Sequence, residues 1–506
     1  MKKLMALAAV VCSTAVLQAE TPIPDGLAVY DITVSFSEFP ELNAFGDWPL
    51  RYRIINASTF DVRGRRISAS ADKTSATYRL VLNLKQIMEK AQSTSATPKL
   101  IFLENCFGNQ PDDGLDANER AFCGSTVNYD FTGVTTVEGF ANVVKQAFVG
   151  KTSTWRYNEP APSSVVVSFQ DLSFALVEGD SIPSGMALYD VTLGFTEFPD
   201  LNAYGAWPVH LRLKLGPLYT LGTYEAFGQR IAVGEDKKSL KIRVAMDLQA
   251  MIDYSKTYNG ADPWIDLRRH ATQLSNSNND DGSWNSSSCK YNFEGISSVQ
   301  GFSEVILLPL IQKSTYVSTS RGGTGTKSML LSLSFDLVRD LVPVAAGEKK
   351  YDVSVTFHNP LSAVGFKTVT SVKLCYPNLF DIELKNPVAS GSVYTAPVKL
   401  DLAQMVATIN GTYQSTGNAQ AKVYASGIGA DGNQITDQEI VTSGSMKVPK
   451  VASESTVADL ENSLFNGVQA TFGFQNFVAA SSAEGCRFVG LTIDEHKSSG
   501  LTIIFR

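Results

Sequence analysis

Residues 24–49 read PDGLAVYDITVSFSEFPELNAFGDWP, and residues 183–208 read PSGMALYDVTLGFTEFPDLNAYGAWP. The two stretches are identical at 16 of 26 positions, at an offset of 159 residues. Similarity of this strength within one chain indicates an internal duplication, which decides the fold class. Each stretch predicts a strand that ends before a proline, because alternate residues from Tyr30 to Phe36 are apolar.

A more distant third copy opens with YDVSVTF at 351–357, which matches YDITVSF at 30–36. The landmark LNL at 82–84 returns in the same order as MDL at 246–248 and as LDL at 400–402. A repeat of roughly 160 residues is long enough for each copy to bury its own core. The sequence therefore predicts three tandem homologous domains, the last one diverged, at 20–180, 181–345 and 346–506.

The pattern inside each copy predicts several strands and two short helices. Asn83, Asp247 and Asp401 occupy one shared position before a helical pattern, where such side chains act as N-caps. A second helix is expected to start at Thr135, Ser297 and Ser455, with Glu138 and Gln300 completing capping boxes in the first two copies. The expected strands of the first copy are 28–36, 50–55, 78–82, 99–104 and 165–176, and the third copy is expected to close with a strand at 501–505. The predicted fold class is mainly β (α+β), each unit being an antiparallel sheet or β-sandwich-like unit with two short helices.

Composition and charge exclude several classes of protein. The chain has 506 residues, of which 44% are hydrophobic and 18% charged, and its mean hydropathy is -0.03. Those values are typical of a globular protein, and they exclude a disordered chain and a polytopic membrane protein. The formal charge of -7 and the pI of about 5.3 give no basic footprint for a nucleic acid partner.

The first 19 residues have the pattern of a signal peptide. Lys2 and Lys3 precede an apolar run over 4–16, and Ala19 stands just before the expected cleavage site. Lipidation of Cys12 is not expected, because the residue before it is Val11 and the apolar run continues past it. A mature chain starting at Glu20 loses two positive charges, and its formal charge falls from -7 to about -9. We expect export to the periplasm or out of the cell, cell-surface association included, with no transmembrane segment in the mature chain.

Cysteine usage fits an oxidising compartment. Cys106 and Cys123 flank one loop of the predicted first domain, and Cys375 and Cys486 are the only cysteines of the predicted third domain. These two pairs are the disulfide candidates, although sequence alone does not fix connectivity. Cys289 stands alone in the second domain, either buried or free to cross-link to a partner.

Two features suggest weak ligand sites. Trp48 and Trp207 share one loop position, where an aromatic face could stack on a sugar, although plugging the end of a domain is the simpler interpretation. Acidic or Asn-rich loops at 110–116, 276–282 and 431–437 suggest calcium, but the spacing departs from the twelve-residue calcium loop, and Asp-Gly is an ordinary turn signal. We therefore expect no cofactor, with calcium as the alternative.

No sequence motif for catalysis is present. The four histidines do not share a repeat position, and the chain contains no HExxH, GxSxG or GxxxxGK[ST] motif. The Asp of the recurring Tyr-Asp pair, Asp31 in the first copy, is expected on a solvated strand face or in an interdomain hydrogen bond. Two functions remain. The first is an exported non-catalytic protein with a binding or structural role, whose partner is a protein or glycan surface or a further copy of the chain. The second is a secreted hydrolase, acting for example on glycans, with a carboxylate pair in one domain or at a domain junction.

Overall fold

The computed structural model is dominated by antiparallel strands, which form two eight-stranded and two four-stranded sheets among the described residues. The described residues are 20–37, 50–53, 61–93, 95–102, 121–157, 163–196, 209–214, 223–236, 238–257, 264–268, 282–285, 291–311, 313–317, 326–339, 342–357, 359–412, 421–442, 448, 451, 455–469 and 488–496. Together with six short α-helices in those ranges, this architecture confirms the predicted mainly β fold.

The first sheet has the strand order β6-β5-β2-β3-β4-β1-β8-β7. Its strands are β1 (Ala28–Phe36), β2 (Leu50–Arg53), β3 (Asp61–Ala69), β4 (Ser75–Leu82), β5 (Lys99–Phe102), β6 (Ala121–Cys123), β7 (Thr152–Tyr157) and β8 (Ser163–Leu176). β1 has the predicted bounds, and its apolar residues Tyr30, Ile32 and Val34 are fully buried. Period-two alternation thus places one face of this strand in the core.

The second sheet has the order β14-β13-β10-β11-β12-β9-β16-β15, which is the order of the first sheet with every strand number raised by eight. Its strands are β9 (Ala187–Phe195), β10 (Val209–Lys214), β11 (Thr223–Val233), β12 (Ser239–Met246), β13 (Trp264–Arg268), β14 (Gly282–Asn285), β15 (Ser314–Val317) and β16 (Thr326–Leu337). The opening strand β9 lies between β12 and β16, as β1 lies between β4 and β8 in the first sheet.

The last part of the chain forms two four-stranded sheets, with the orders β20-β21-β17-β24 and β19-β18-β22-β23. Their strands are β17 (Lys349–Phe357), β18 (Phe366–Tyr376), β19 (Phe380–Lys385), β20 (Val388–Ser390), β21 (Val393–Leu400), β22 (Lys422–Gly429), β23 (Gln434–Thr442) and β24 (Phe488–Glu495). The strand that pairs with β17, as β8 pairs with β1, is β24. The expected closing strand at 501–505 lies outside the described residues, and Phe488–Glu495 occupies that place in the sheet.

One strand explains why the last part has two sheets instead of one. In the first sheet, β3 pairs with β2 through Asp61–Gly64 and with β4 through its second half. In the last part, β19 pairs with β18, whereas β20 pairs with β21. The chain between β19 and β20 contains Asn386 at φ 47° and Pro387, which has no N–H to donate to a strand partner. The strand is therefore interrupted there, and the sheet divides at that point.

The six helices in the described ranges are α1 (Leu84–Ser93), α2 (Val137–Lys145), α3 (Leu248–Thr257), α4 (Val299–Leu307), α5 (Leu402–Thr412) and α6 (Val457–Gln469). The predicted N-caps of α1, α3 and α5 are confirmed. Asn83 Oδ1, Asp247 Oδ1 and Asp401 Oδ1 each accept a hydrogen bond from the backbone N–H three residues later, at 3.0, 2.8 and 3.0 Å. Each bond satisfies a first-turn N–H that has no partner inside the helix.

For the other three helices, the predicted N-caps Thr135, Ser297 and Ser455 are wrong by one residue. The N-caps are Thr136, Ser298 and Thr456, whose hydroxyls accept from the third following N–H at 3.2, 3.0 and 3.2 Å. Glu138 therefore completes no capping box. Its carboxylate instead accepts the N–H of Thr21, in the segment that precedes β1. That segment also forms an isolated β-bridge to the helix start, from Pro22 to Thr136. Equivalent bridges join Ser181 to Ser298 and Pro343 to Thr456.

Three large hydrophobic clusters form the core. The first two each combine one eight-stranded sheet with the helices of the same part of the chain, and the third combines both four-stranded sheets with α5 and α6. Two residues depart from this pattern. Val29 and Val81 belong to the first sheet, but they pack into the cluster of the second. These two side chains mark the place where one part of the chain docks onto the next.

Candidate functional site

The first junction is the contact between α4 and the first sheet. α4 packs on its own sheet through β16 and on the first sheet through β1 and β4. Residues 301–307 are consequently all buried, Glu304 and Ser303 included. An ordinary surface helix buries only one stripe, so this helix serves two cores at once. On the sheet side, Val29 and Val81 lie opposite each other in the strand register and are buried beneath the junction.

A bidentate ion pair connects the two sides of the first junction. Arg65 on β3 donates from Nη2 to Glu304 Oε1 at 2.7 Å and from Nε to Oε2 at 3.2 Å. The Glu304 side chain is fully buried, and Gln300 donates a further bond to Oε1 at 3.0 Å. Removing a carboxylate from water costs several kcal/mol, and this cost is offset only where such forked bonds satisfy both oxygens.

Arg79 extends this pair into a network. Arg79 Nε donates to Asp31 Oδ1 at 2.7 Å, and Nη2 donates to Oδ2 at 2.9 Å. Its Nη1 also lies 3.9 Å from Glu304 Oε1. The hydrogen bond to Asp31 and the negative charges of Asp31 and Glu304 raise the pKa of Arg79, against the effect of burial. The recurring Asp thus bonds within its own sheet and reaches the next part of the chain only through Arg79.

Two glycines allow the first junction to close. Gly26 precedes β1 and Gly295 precedes α4, and both have φ near +80°. A Cβ on Gly295 would lie 2.6 Å from the Leu27 nitrogen and 2.7 Å from the Gly26 Cα. The Leu27 N–H donates to the Glu294 carbonyl at 3.2 Å. The backbones therefore approach closely enough that only glycine fits at either position.

The second junction repeats this arrangement between the second sheet and α6. α6 packs on β24 of its own sheet and on β11 and β12 of the second sheet. Arg243 donates to both carboxylate oxygens of Asp190, at 2.8 and 3.1 Å. Glu461 on α6 contributes to the charge environment that raises the pKa of Arg243. Burial lowers the pKa of Arg230 on β11 to about 10.

Glu461 is the one carboxyl in the described ranges whose pKa is raised strongly. Burial raises its pKa to about 7, and nearby Asp494 acts in the same direction. The Ile493 N–H, which donates to Glu461 Oε1, and the charge of Arg243 act in the opposite direction. The second junction therefore contains a group that titrates near neutral pH.

Side chains on α4 and α6 also accept buried backbone N–H groups of the strands β16 and β24. Ser303 Oγ accepts the Phe335 N–H of β16 at 2.9 Å and donates to the Val299 carbonyl at 3.0 Å. Glu461 accepts the Ile493 N–H of β24 in the same way. A buried backbone N–H without a partner costs free energy, so these contacts satisfy two strand groups that need one.

The residues predicted as ligand or disulfide sites are not brought together in the described part of the chain. Trp48, Trp207, Cys106 and Cys486 lie outside the described residues. Cys123 is exposed at the end of β6. Cys375 lies in β18, where burial raises the pKa of its thiol. Within the described ranges no disulfide bond is present, and each candidate pair has one member outside them.

The predicted calcium loops are described only in part. The loop at 110–116 lies outside the described residues, and so do residues 276–281 of the second loop. Of the loop at 431–437, residues 431–433 lie in the turn between β22 and β23, with Gly432 at φ +82°, and residues 434–437 belong to β23. Asp431 accepts the Asn433 N–H at 2.9 Å and its Nδ2 at 2.8 Å. No group of three or more His, Cys, Asp or Glu side chains suited to a metal occurs among the residues that were placed.

Sequence reasoning missed His496. Its Nδ1 lies 2.7 Å from Asp352 Oδ1, on the outer face of β17. Asp352 has the place in its strand that Asp31 and Asp190 have in theirs, but its strand neighbour on β21 is Pro397 instead of an arginine. A histidine from the end of β24 supplies the partner. Since His496 is 144 positions away from Asp352, no local sequence pattern predicts the pair.

One feature of the sequence of α4 could have indicated the first junction. Residues 299–307 read VQGFSEVIL, which is apolar on most of the helix surface, with a single carboxylate. A helix that is apolar all round is buried on more than one side. Its partner Arg65 is 239 residues away, and the pairing itself could not be read from the sequence.

Comparisons with known proteins supply no family for this architecture. No protein-family model matches the chain, and no curated protein sequence matches it significantly. Among the residues that the structure describes, no helix combines the length and the apolar character needed to cross a membrane.

Proposed function

We propose that the protein is an exported, non-catalytic, multidomain protein with a binding or structural role at the cell envelope or outside the cell. The observation that carries this proposal is the pair of junctions, each made by a helix buried between two sheets. Their buried charges hold successive parts of the chain in one fixed arrangement, which suits a protein that presents surfaces at defined spacing. The partner proposed is a protein or glycan surface.

The proposed architecture is three related domains at 20–180, 181–345 and 346–506. The two eight-stranded sheets have the same strand order, which supports this division. So do the N-caps at Asn83, Asp247 and Asp401. Limited proteolysis of the mature chain, read by mass spectrometry, tests the borders. Early cuts near residues 180 and 345 are expected, and early cuts within β8, β16 or β24 would contradict the division.

Export rests on the basic and apolar pattern of residues 1–19. Fractionation of the native host with N-terminal sequencing tests it, and the expected product begins at Glu20 outside the cytoplasm. An uncleaved cytoplasmic chain would refute export.

The binding role is tested by cross-linking the mature chain on intact cells and mapping the cross-linked residues. A defined patch on the chain, saturable with unlabelled protein, is expected. Diffuse cross-links that do not saturate would refute a binding role, and turnover of glycan or ester substrates by the purified chain would refute the non-catalytic assignment.

A further inference from the structure

The sheet β20-β21-β17-β24, called the third sheet below, presents an outer face whose equivalents in the first two sheets are covered or apolar. In the first sheet, Val29 lies opposite Val81, and both are buried at the first junction. In the second sheet, the same register places Leu188, which is buried, opposite Ala245. In the third sheet, this pair is Lys350 opposite Lys399, and both are exposed.

The neighbouring pair on the same face changes as well. Asp31 faces Arg79 and Asp190 faces Arg243, whereas Asp352 faces Pro397. An arginine at this place lies near Glu304 in the first junction and interacts with Glu461 in the second. Pro397 offers no donor for an incoming carboxylate, and the carboxylate of Asp352 is occupied by His496.

The helix at the opposite end of the array differs in a matching way. Six residues after its N-cap, α4 has the fully buried Glu304 and α6 has the buried Asn462, whereas α2 has the exposed Asn142. Another outward residue of α2, Glu138, already accepts the Thr21 N–H. α2 is therefore amphipathic and covers one sheet only, in contrast to α4.

We infer that the outer face of the third sheet and the outer face of α2 are terminal caps, which prevent one copy of the chain from continuing the helix-on-sheet stacking onto another. An incoming helix would have to bury Lys350 without a carboxylate partner, and it would also have to bury the exposed pair that Lys399 forms with Glu348 at 3.4 Å. An unpaired buried ammonium is strongly unfavourable. Stacked arrays in general need polar outer faces at their two ends to stay soluble and of defined length. This inference does not depend on the proposed function.

The test uses the mature chain with a photo-cross-linking amino acid at position 397, which is exposed on the face in question. We expect no cross-link from position 397 to α2 of a second copy in the otherwise unchanged chain. The variant K350V/K399A restores the apolar pair. We expect it to associate head to tail with rising concentration and to cross-link from position 397 to α2. The matched control K350E/K399E keeps the face charged and should not form that cross-link.

Two results would overturn the inference. One is a cross-link between position 397 and residues 137–145 of a second copy when no cap residue has been changed. The other is a folded K350V/K399A variant that shows neither association nor that cross-link, because the two lysines would then not be what blocks stacking. Circular dichroism melts of all variants verify folding, and the substituted side chains are exposed in the wild-type chain. Association through an unrelated surface does not produce this cross-link and is therefore distinguished.

Discussion

The buried carboxylate of Glu304 offers the sharpest test of how the first junction is held. Glu304→Gln keeps the shape of the side chain and removes its charge. Arg65 then loses its bidentate carboxylate, whereas Arg79 keeps Asp31. Removing one partner of a buried pair costs about 3–5 kcal/mol. Since the two arginine side chains are 16% and 20% exposed and the amide oxygen still accepts one bond, we expect about 2–4 kcal/mol.

Native-state hydrogen exchange of the mature chain is the appropriate assay, because a chain with several cores need not unfold in two states. A loss of 2–4 kcal/mol predicts that the slowest amides of α4 exchange roughly 30- to 700-fold faster, since about 1.4 kcal/mol is a factor of ten. Asn142→Ala is the matched control, because it changes the corresponding position of α2 at an exposed site. It should alter stability by no more than about 0.5 kcal/mol.

A double-mutant cycle with Arg65→Gln separates the ion pair from other effects. Arg65→Gln in the Glu304→Gln background should cost clearly less than Arg65→Gln alone, with a coupling of roughly 0.5–3 kcal/mol. The reasoning is refuted if Glu304→Gln changes α4 exchange by less than about threefold, or if the two substitutions are additive.

Three further outcomes are expected. Because burial raises the pKa of Glu461 to about 7, the fold favours its neutral form. The stability of wild type relative to Glu461→Gln should therefore be highest below about pH 4.5 and fall by about 3 kcal/mol as pH rises through 7. Denaturation at a series of pH values measures this difference, and a difference that does not change with pH would contradict the prediction. Gly295→Ala should destabilise the protein by about 1–3 kcal/mol more than the control Gly133→Ala. Both glycines have positive φ, but a Cβ on Gly133 meets nothing within 4 Å, whereas a Cβ on Gly295 meets the backbone of the first junction. Equal shifts of the melting temperature would show that the close approach is unimportant. Asp401→Ala should cost about 1 kcal/mol through loss of the α5 cap, and Asp401→Asn should restore most of it, both read by chemical denaturation.

Local patterns predicted the parts of the fold that local physics decides. The bounds of β1 follow from strict alternation, and the caps at Asn83, Asp247 and Asp401 follow from one side chain and one nearby N–H. The N-cap predicted at Thr135 is wrong by one residue, because two adjacent threonines compete for the cap. The segment before β1 decides between them: Thr21 donates to Glu138 and accepts the Val137 N–H, and Ile23 donates to the Thr135 carbonyl.

β3 escaped prediction for a physical reason. Its sequence DVRGRRISA carries Gly64 and Arg66 at buried positions where a strand normally has apolar side chains. A Cβ on Gly64 would lie 2.5 Å from the Leu80 side chain, so Leu80 fills the space that a side chain at 64 would need. The apolar side chain at this place in the core therefore comes from the neighbouring strand β4, and the sequence of β3 alone shows no apolar alternation.

The junctions lay beyond sequence reasoning because each needs two distant halves. The apolar pair of Val29 and Val81 explains why a helix can be buried on this face, but apolar contact has no direction and would tolerate several helix positions. The forked bonds from Arg65 to Glu304 have a direction, because a planar guanidinium meets both carboxylate oxygens in one geometry only. We therefore assign adhesion to the apolar residues and position to the ion pair. On that division, an apolar replacement of both charges would leave α4 buried and would loosen its register on the first sheet.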